Sequence, residues 1–350
     1  MLDKDIAKGV RFITQDAQGE KWAIDKYAHQ MIRELGTEGI PCTITPVIGS
    51  GKPFKMFVEH LFAPFFTGWK LLFCKEKIVY LHYDFFAILI TFLPFLFLSR
   101  FLFRTKIVVQ VHEYWANQPY AGIVKYIDLM YCFLAHVVIV HNTVQLQVLR
   151  AHGLKRIEFL PMPIDDIIVK SAIKETPNSI NILMHGAIIR KKGYETGIQA
   201  INLLPDKYML TIVGGIGPVD YLEELRQSIK DLKLETRVTI VSRFLPDTEY
   251  QKYIQDADII VYPYLISTAS AALAEGALKF EKPFLTSDLD SFIDYLGTQK
   301  YSFKVGDPES LAEKILQLDI EQASQFSLSL KEQYSWSKVG KKLLKIFITL

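Results

Sequence analysis

Met209-Leu210-Thr211-Ile212-Val213-Gly214-Gly215-Ile216-Gly217-Pro218 reads as an apolar strand that runs into a glycine turn. A helix follows near Tyr221, and the segment Tyr221–Leu232 is apolar on one face. Glycines at a strand end allow a tight turn and a close backbone approach to a ligand. The helix N-terminus beyond them favours an anion. A plain strand-to-helix turn would use the same residues. The dinucleotide pattern G-x-G-x-x-G is not met, because Pro218 is followed by Val219 and Asp220.

The same rhythm extends in both directions. Ile180–Met184, Val238–Val241 and Ile259–Tyr262 are strand-like in the second half. Val10–Thr14, Ile78–His82, Ile107–Val111 and Val137–Val140 are strand-like in the first, with an amphipathic stretch at Lys21–Leu35. Most of these runs are continuously apolar, as expected of parallel strands covered by helices on both faces. The expected fold is α/β, with two Rossmann-like doubly wound domains facing across a cleft. The polar stretch Asp165–Ser179, with Pro177, is the linker candidate. It places a boundary near Lys174, giving domains over 1–174 and 175–334, with 335–350 as a terminal helix.

Composition agrees. A chain of 350 residues suits two domains. Half of it is hydrophobic (50%) and 22% is charged, enough for two cores and against global disorder. Forty basic residues against 38 acidic ones, a net charge of +2, argue against nucleic acid as a partner. Cys42, Cys74 and Cys132 are widely spaced and odd in number, so a disulfide framework or metal site is not expected and a reduced, cytoplasmic chain is. The opening MLDKDIAKGVRFITQ has no apolar signal region, which argues against secretion.

Further chemistry lies at strand ends. Gly186-Ala187-Ile188-Ile189-Arg190-Lys191-Lys192-Gly193 follows Ile180–Met184, and three cations there can neutralise a diphosphate. The alternative is a solvated charge run. Ser267, Thr268 and Ser270 lead into an Ala-rich helix whose first N–H groups can take phosphate oxygens. Glu275 on that helix either pairs structurally or grips ribose hydroxyls. In the first half, His82 and His112 end strands, and Glu113, Tyr114 and Trp115 follow His112 as a group able to shape a sugar site. A surface or core histidine is the ordinary alternative for each.

Taken in order, these segments resemble the retaining glycosyltransferases of family four, which have the GT-B fold. The match runs from about Ile180 to the C-terminus. It rests on Met184–Gly193, the Ile212–Pro218 turn with Glu223-Glu224-Leu225, Phe244-Leu245-Pro246-Asp247, Ala257-Asp258, Glu275 before Lys282-Pro283, and Tyr334-Ser335-Trp336. The resemblance implies a nucleoside diphosphate sugar held by the second domain, no metal or other cofactor, and transfer with retention to a glycan or lipid-linked acceptor at the first. It implies that Lys192, with Arg190, pairs with the diphosphate, that Glu275 binds ribose, and that His112 lies near the transferred sugar. Gly186, Gly214, Gly215, Ser267, Thr268 and Ser270 would line the donor. Two positions depart from the family pattern: Ser267 stands where the first glutamate of E-x7-E belongs, and Ala187 where an arginine does. A catalytically inactive sugar-nucleotide-binding protein and a GT-B nucleotide-sugar epimerase are the alternatives.

Phe is abundant, with 23 in the chain, and much of it falls between Phe54 and Phe103. Phe85–Phe103 is long enough to span a bilayer, but it lies between two strands of one sheet and contains Pro94 and Arg100. Lysines and arginines flank the aromatic stretch, so the expectation is a helix pair lying on the inner, anionic membrane surface, with ordinary core helices as the alternative.

Overall fold

The computed structural model describes residues 5–14, 23–46, 65–83, 91–112, 124–166, 179–215, 217–266 and 271–350. Contacts divide the chain into two units, Met1–Pro161 with Trp336–Leu350, and Met162–Ser335. The boundary expected near Lys174 falls among residues 167–178, outside the described residues.

The first unit holds a parallel sheet of β1 (Val10–Thr14), β2 (Cys42–Pro46), β3 (Ile78–Tyr83), β4 (Lys106–Val111), β5 (Val137–Val140) and β6 (Ile157–Phe159), in the order β2-β1-β3-β4-β5-β6. Helices α1 (Ala23–Thr37), α2 (described over 65–71), α3 (Leu93–Phe101), α4 (Val124–Leu134) and α5 (Thr143–Ala151) connect successive strands. The chain steps one way from β1 to β2 and the other way from β2 onward. Right-handed crossovers therefore place α1 on one face and α2 to α5 on the other. The helix contacts agree: α1 packs on the last helix, α13 (Trp336–Ile348), and α3 packs on α4. Strand residues Val79, Leu81, Ile107, Val109 and Val138 share a core with Leu71, Leu96 and Leu129 from the α2–α5 side. Each large side chain so buried contributes about 1.5–3 kcal/mol.

The second unit repeats the plan. Its parallel sheet contains β7 (Ile180–His185), β8 (Tyr208–Gly214), β9 (Val238–Ser242), β10 (Ile259–Tyr262), β11 (Phe284–Ser287) and β12 (Ser302–Phe303), in the order β12-β11-β10-β7-β8-β9. This is the dinucleotide-fold order, whose direction reverses between β7 and β10. Ligands of such sheets bind outside the strand carboxyl ends at that reversal. Helices α6 (Tyr194–Leu203), α7 (Val219–Asp231) and α8 (Asp247–Asp256) link the first four strands. After β10 comes α9 (Ala271–Leu273), which passes directly into a π-helical turn, Ala274–Leu278. Helices α10 (Asp290–Leu296), α11 (Pro308–Gln317) and α12 (Ile320–Gln333) complete the unit. Among the described residues no helix is long and apolar enough to cross a membrane.

Candidate functional site

The loops after β7, β8 and β10 meet at the carboxyl end of the second sheet. The amide of Gly186 donates to Val213 O at 3.0 Å, and that of Ile188 to Gly215 O at 3.2 Å, so the first two loops are knitted together. Gly214 is required for this approach, because a β-carbon there would stand 1.7 Å from the Gly186 carbonyl oxygen. Gly215 faces open space, with nothing within 4 Å of where its side chain would start. The amide of Leu265, after β10, donates to Lys191 O at 3.0 Å and ties in the third loop. The cation run and the glycine turn thus share one end of the sheet, beside the reversal between β7 and β10.

Lys192 sits in a short 3-10 turn, Arg190–Lys192, between β7 and α6. Its ammonium lies 3.9 Å from the ring centroid of Tyr264 and donates to that residue's hydroxyl. A β-carbon on Gly186 would be 3.4 Å from Lys192 Nζ, so the ammonium hangs beside the strand-end glycine. Arg190 points elsewhere. Its guanidinium bonds Glu224 Oε1 of α7 at 2.5 Å and covers the Tyr221 ring at 4.9 Å. Its hydrogen bond to the Glu224 carboxylate holds the Arg190 pKa above its usual value. Asp220, in the first turn of α7, and Glu224 on the same helix already supply negative charge near the helix start, which disfavours that helix end as an anion site. Of the two catalytic cations read from the sequence, Lys192 therefore faces the loop junction and Arg190 is held by α7.

Ser267, Thr268 and Ser270 lie outside the described residues. Glu275 lies in the π turn, where its side chain is 54% exposed and pairs with Lys279 at 3.1 Å. Lys279 also bonds Asp165 at 2.5 Å. The turn has a clear cause. The Tyr262 hydroxyl, at the end of β10, accepts from the Ala277 amide at 3.0 Å and donates to Ala272 O at 3.2 Å, so it is inserted into the helix ladder. His185, at the end of β7, lies 2.9 Å from the same hydroxyl through Nε2 and 2.6 Å from the Tyr250 hydroxyl through Nδ1. These partners are satisfied by a neutral ring that donates from Nε2 and accepts at Nδ1. Burial, with the Lys192 charge nearby, lowers the His185 pKa to about 3. Gly276 leaves room for this ring: a β-carbon there would stand 2.3 Å from His185 Nε2. This Tyr250–His185–Tyr262 chain was missed in the sequence, although His185 lies at the carboxyl end of its strand, the position that drew notice to His82.

In the first unit β3 runs one residue past His82, which is therefore the last but one residue of the strand, while His112 and His141 directly follow β4 and β5; the three gather around Gln110 and Tyr27. His112 is 4.4 Å from His82 and 4.9 Å from His141 between ring centroids, and the His82 ring stacks on Tyr27 at 5.0 Å. His141 donates from Nδ1 to Leu160 O at 2.8 Å and accepts from Gln110 Nε2 at 2.8 Å. Gln110 Nε2 also reaches His112 Nε2 at 3.2 Å. Burial lowers the His82 pKa to about 3 and the His141 pKa to about 4, and holds that of His112 well below its usual value. These rings are neutral hydrogen-bonding groups near pH 7. Glu113, Tyr114 and Trp115 lie outside the described residues. Among the described residues no group of three His, Cys, Asp or Glu is arranged to hold a metal.

Residues 164–333 match the model of the glycosyl transferases group 1. The second unit is a group 1 glycosyl transferase domain. The chain is accordingly a glycosyltransferase, with a second α/β unit preceding that domain. No curated protein matches the sequence. Among solved structures the chain is similar to Anabaena HepE in complex with UDP, at a TM-score of 0.72 and 13% identity over 98% of this chain and 100% of that one. It is similar to a glycosyltransferase of Rickettsia africae, with a TM-score of 0.72 and 15% identity over 97% of each chain. It is also similar to the lipopolysaccharide outer core galactosyltransferase WaaB, with a TM-score of 0.70 and 14% identity over 98% of this chain and 100% of that one. At these identities the likeness is one of fold, and the fold is GT-B.

Proposed function

We propose that this glycosyltransferase moves a sugar from a nucleoside diphosphate sugar to a glycan or lipid-linked acceptor, with retention of configuration and without a metal. The observation that carries the reading is the junction of the β7, β8 and β10 loops, with the Lys192 ammonium beside it, in a group 1 domain. HepE, similar in fold, was solved with UDP and with UDP-glucose, which supports a nucleotide-sugar donor.

In this reading the diphosphate lies against the Gly186 and Gly214–Gly215 loops. Lys192 neutralises the charge that grows as the sugar leaves, together with amides near Ser270 and the hydroxyls of Ser267 and Thr268. Such preorganised charge acts mainly in the transition state. Arg190 joins only by exchanging Glu224 for phosphate, a change open to an exposed side chain. Glu275 accepts from ribose hydroxyls, and the ion pair with Lys279 orients its carboxylate. The neutral His112 donates to or accepts from a hydroxyl of the transferred sugar. The acceptor binds the first domain (1–174), and the donor the second (175–334). The enzyme works in the cytoplasm, held peripherally at an anionic membrane surface where a lipid-linked acceptor resides. The test is transfer from labelled UDP-, GDP- and ADP-sugars to lipid extracts and glycans, in wild type and in Lys192→Ala. Transfer that is lost in the variant supports the reading, and equal transfer by both refutes the role of Lys192.

A further inference from the structure

We propose that the first unit docks on an anionic lipid bilayer through the outer side of the layer formed by α2, α3 and α4. The proposal gives a surface to the membrane-peripheral location proposed above and is independent of the donor site.

The three helices lie on one face of the sheet, as the crossover argument requires. Phe95 of α3 meets Phe65 at 5.0 Å and Trp69 at 6.4 Å between ring centroids, which joins α3 to α2. Arg100 of α3 bonds Phe133 O at 3.3 Å and Ala135 O at 2.9 Å, which joins α3 to the end of α4. The inner sides of these helices supply the core. Their outer sides are also apolar, where a helix of a globular domain is normally polar. Phe66 and Trp69 of α2, Phe97 and Phe101 of α3, and Met130 and Phe133 of α4 are each more than half exposed. Their spacings of three or four residues set each pair on one outer stripe. A contiguous apolar surface of this kind marks an interaction site.

Charge decides the partner. The acidic residues described in these helices and their loops are Glu76 and Asp128, and both are buried. Glu76 is engaged by Arg11 at 2.8 Å. Lys70, Lys75 and Arg104 are exposed, and the Lys125 ammonium stands 5.0 Å above the Tyr126 ring. Two cations that the sequence places beside the aromatic stretch serve elsewhere: Arg100 caps the carbonyls ending α4, and Lys106 pairs with Asp5 at 3.4 Å. Among the described residues the face is thus apolar with a basic rim. Pairing with a second copy would set cation against cation. An anionic bilayer supplies the opposite charge and an apolar interior together, and aromatic side chains favour that interface.

The test is co-sedimentation of the full chain with vesicles of phosphatidylcholine alone or mixed with phosphatidylglycerol. The expected result is binding to the mixed vesicles that exceeds binding to neutral ones and weakens with salt. The combined variant Lys70→Gln, Lys75→Gln and Arg104→Gln should lose about a hundredfold in affinity for anionic vesicles, near fivefold per cation, and little for neutral ones. The variant Trp69→Ser, Phe101→Ser and Phe133→Ser should bind both more weakly. These side chains are exposed, so circular dichroism and nucleotide affinity should match wild type in both variants. Equal binding to the two vesicle types, or none to either, overturns the proposal. So does a stable dimer that the apolar variant dissociates, which would assign the face to self-association.

Discussion

The Lys192 ammonium lies 3.9 Å from the centre of the Tyr264 ring, bringing the loop after β7 against the loop after β10 at the point where the sheet order reverses. The ring fixes the cation's direction, and cation–π contact of this kind contributes about 0.5–2 kcal/mol. Lys192→Ala is expected to lower the turnover rate about 10²–10³-fold. Its urea midpoint should stay close to wild type, because the side chain is only partly buried. A large loss of stability with unchanged turnover would make Lys192 structural.

Glu275→Gln removes the ionised acceptor proposed for ribose. A hydrogen bond to a charged group contributes about 1.5–3 kcal/mol, so nucleotide affinity should fall about 10- to 100-fold. Calorimetric titration with the nucleoside diphosphate and its 2′-deoxy form checks this. Wild type should prefer the ribose form, and the variant should lose most of that preference.

Tyr262→Phe takes away the hydroxyl inserted between Ala277 and Ala272. It leaves the Ala277 amide and His185 Nε2 without this partner, a cost of about 1–3 kcal/mol in folding stability. If the π turn positions Glu275, the same change lowers nucleotide affinity. It should then have little further effect in a chain already carrying Glu275→Gln. Additive losses in the double variant would separate Tyr262 from the ribose contact.

Gly276→Ala forces a methyl group against His185 and Tyr262. Overpacking of this sort costs about 1–3 kcal/mol. Adding His185→Ala opens space and should restore part of that loss, as read from chemical denaturation. No interaction between the two changes would contradict the packing described.

Stability should fall in mild acid. His82 and His185 titrate near pH 3 and His141 near pH 4 in the folded chain, against 6.5 for an ordinary histidine. Above pH 6.5 both states hold these rings neutral, and nothing is lost. Below it the unfolded chain takes up protons that the folded chain excludes. Each ring then removes up to about 1.4 kcal/mol of stability per pH unit, down to its folded pKa. Urea denaturation at about pH 7.5 and about pH 5 measures the slope, which should be shallower in His185→Gln.

Much of the fold was legible because both sheets are parallel and buried on both faces. That arrangement writes continuous apolar runs such as Val137–Val140 and Ile259–Tyr262, and the strands formed there. Two of the edge strands were not legible, although a third, Val238–Ser242, was. Cys42–Pro46 and Ser302–Phe303 are short, mix polar and apolar residues, and depend on one neighbour for their pairing. In the second unit the cation run and the glycine turn were found from position alone, since both follow strands. What sequence could not supply was direction. The three cations of Arg190–Lys192 look equivalent in a row, but a single 3-10 turn sends Arg190 to Glu224 and Lys192 to Tyr264. Nor does any local pattern announce the π turn, because Tyr262 and His185 come from strands far apart in the chain. The histidine cluster around Tyr27 is similarly long-range. His82 and His112 were each readable as strand ends, and only the sheet order makes them neighbours.

The central claim is that the second unit holds a nucleoside diphosphate sugar. The most direct measurement is thermal and calorimetric titration of the intact chain with UDP-, GDP- and ADP-sugars. The account predicts that one of these binds with one site per chain and stabilises the fold by about 2.7 kcal/mol at a hundred times its dissociation constant. It predicts that both signals weaken in Lys192→Ala and Glu275→Gln. Failure of every nucleotide sugar to bind the folded wild-type chain would contradict it.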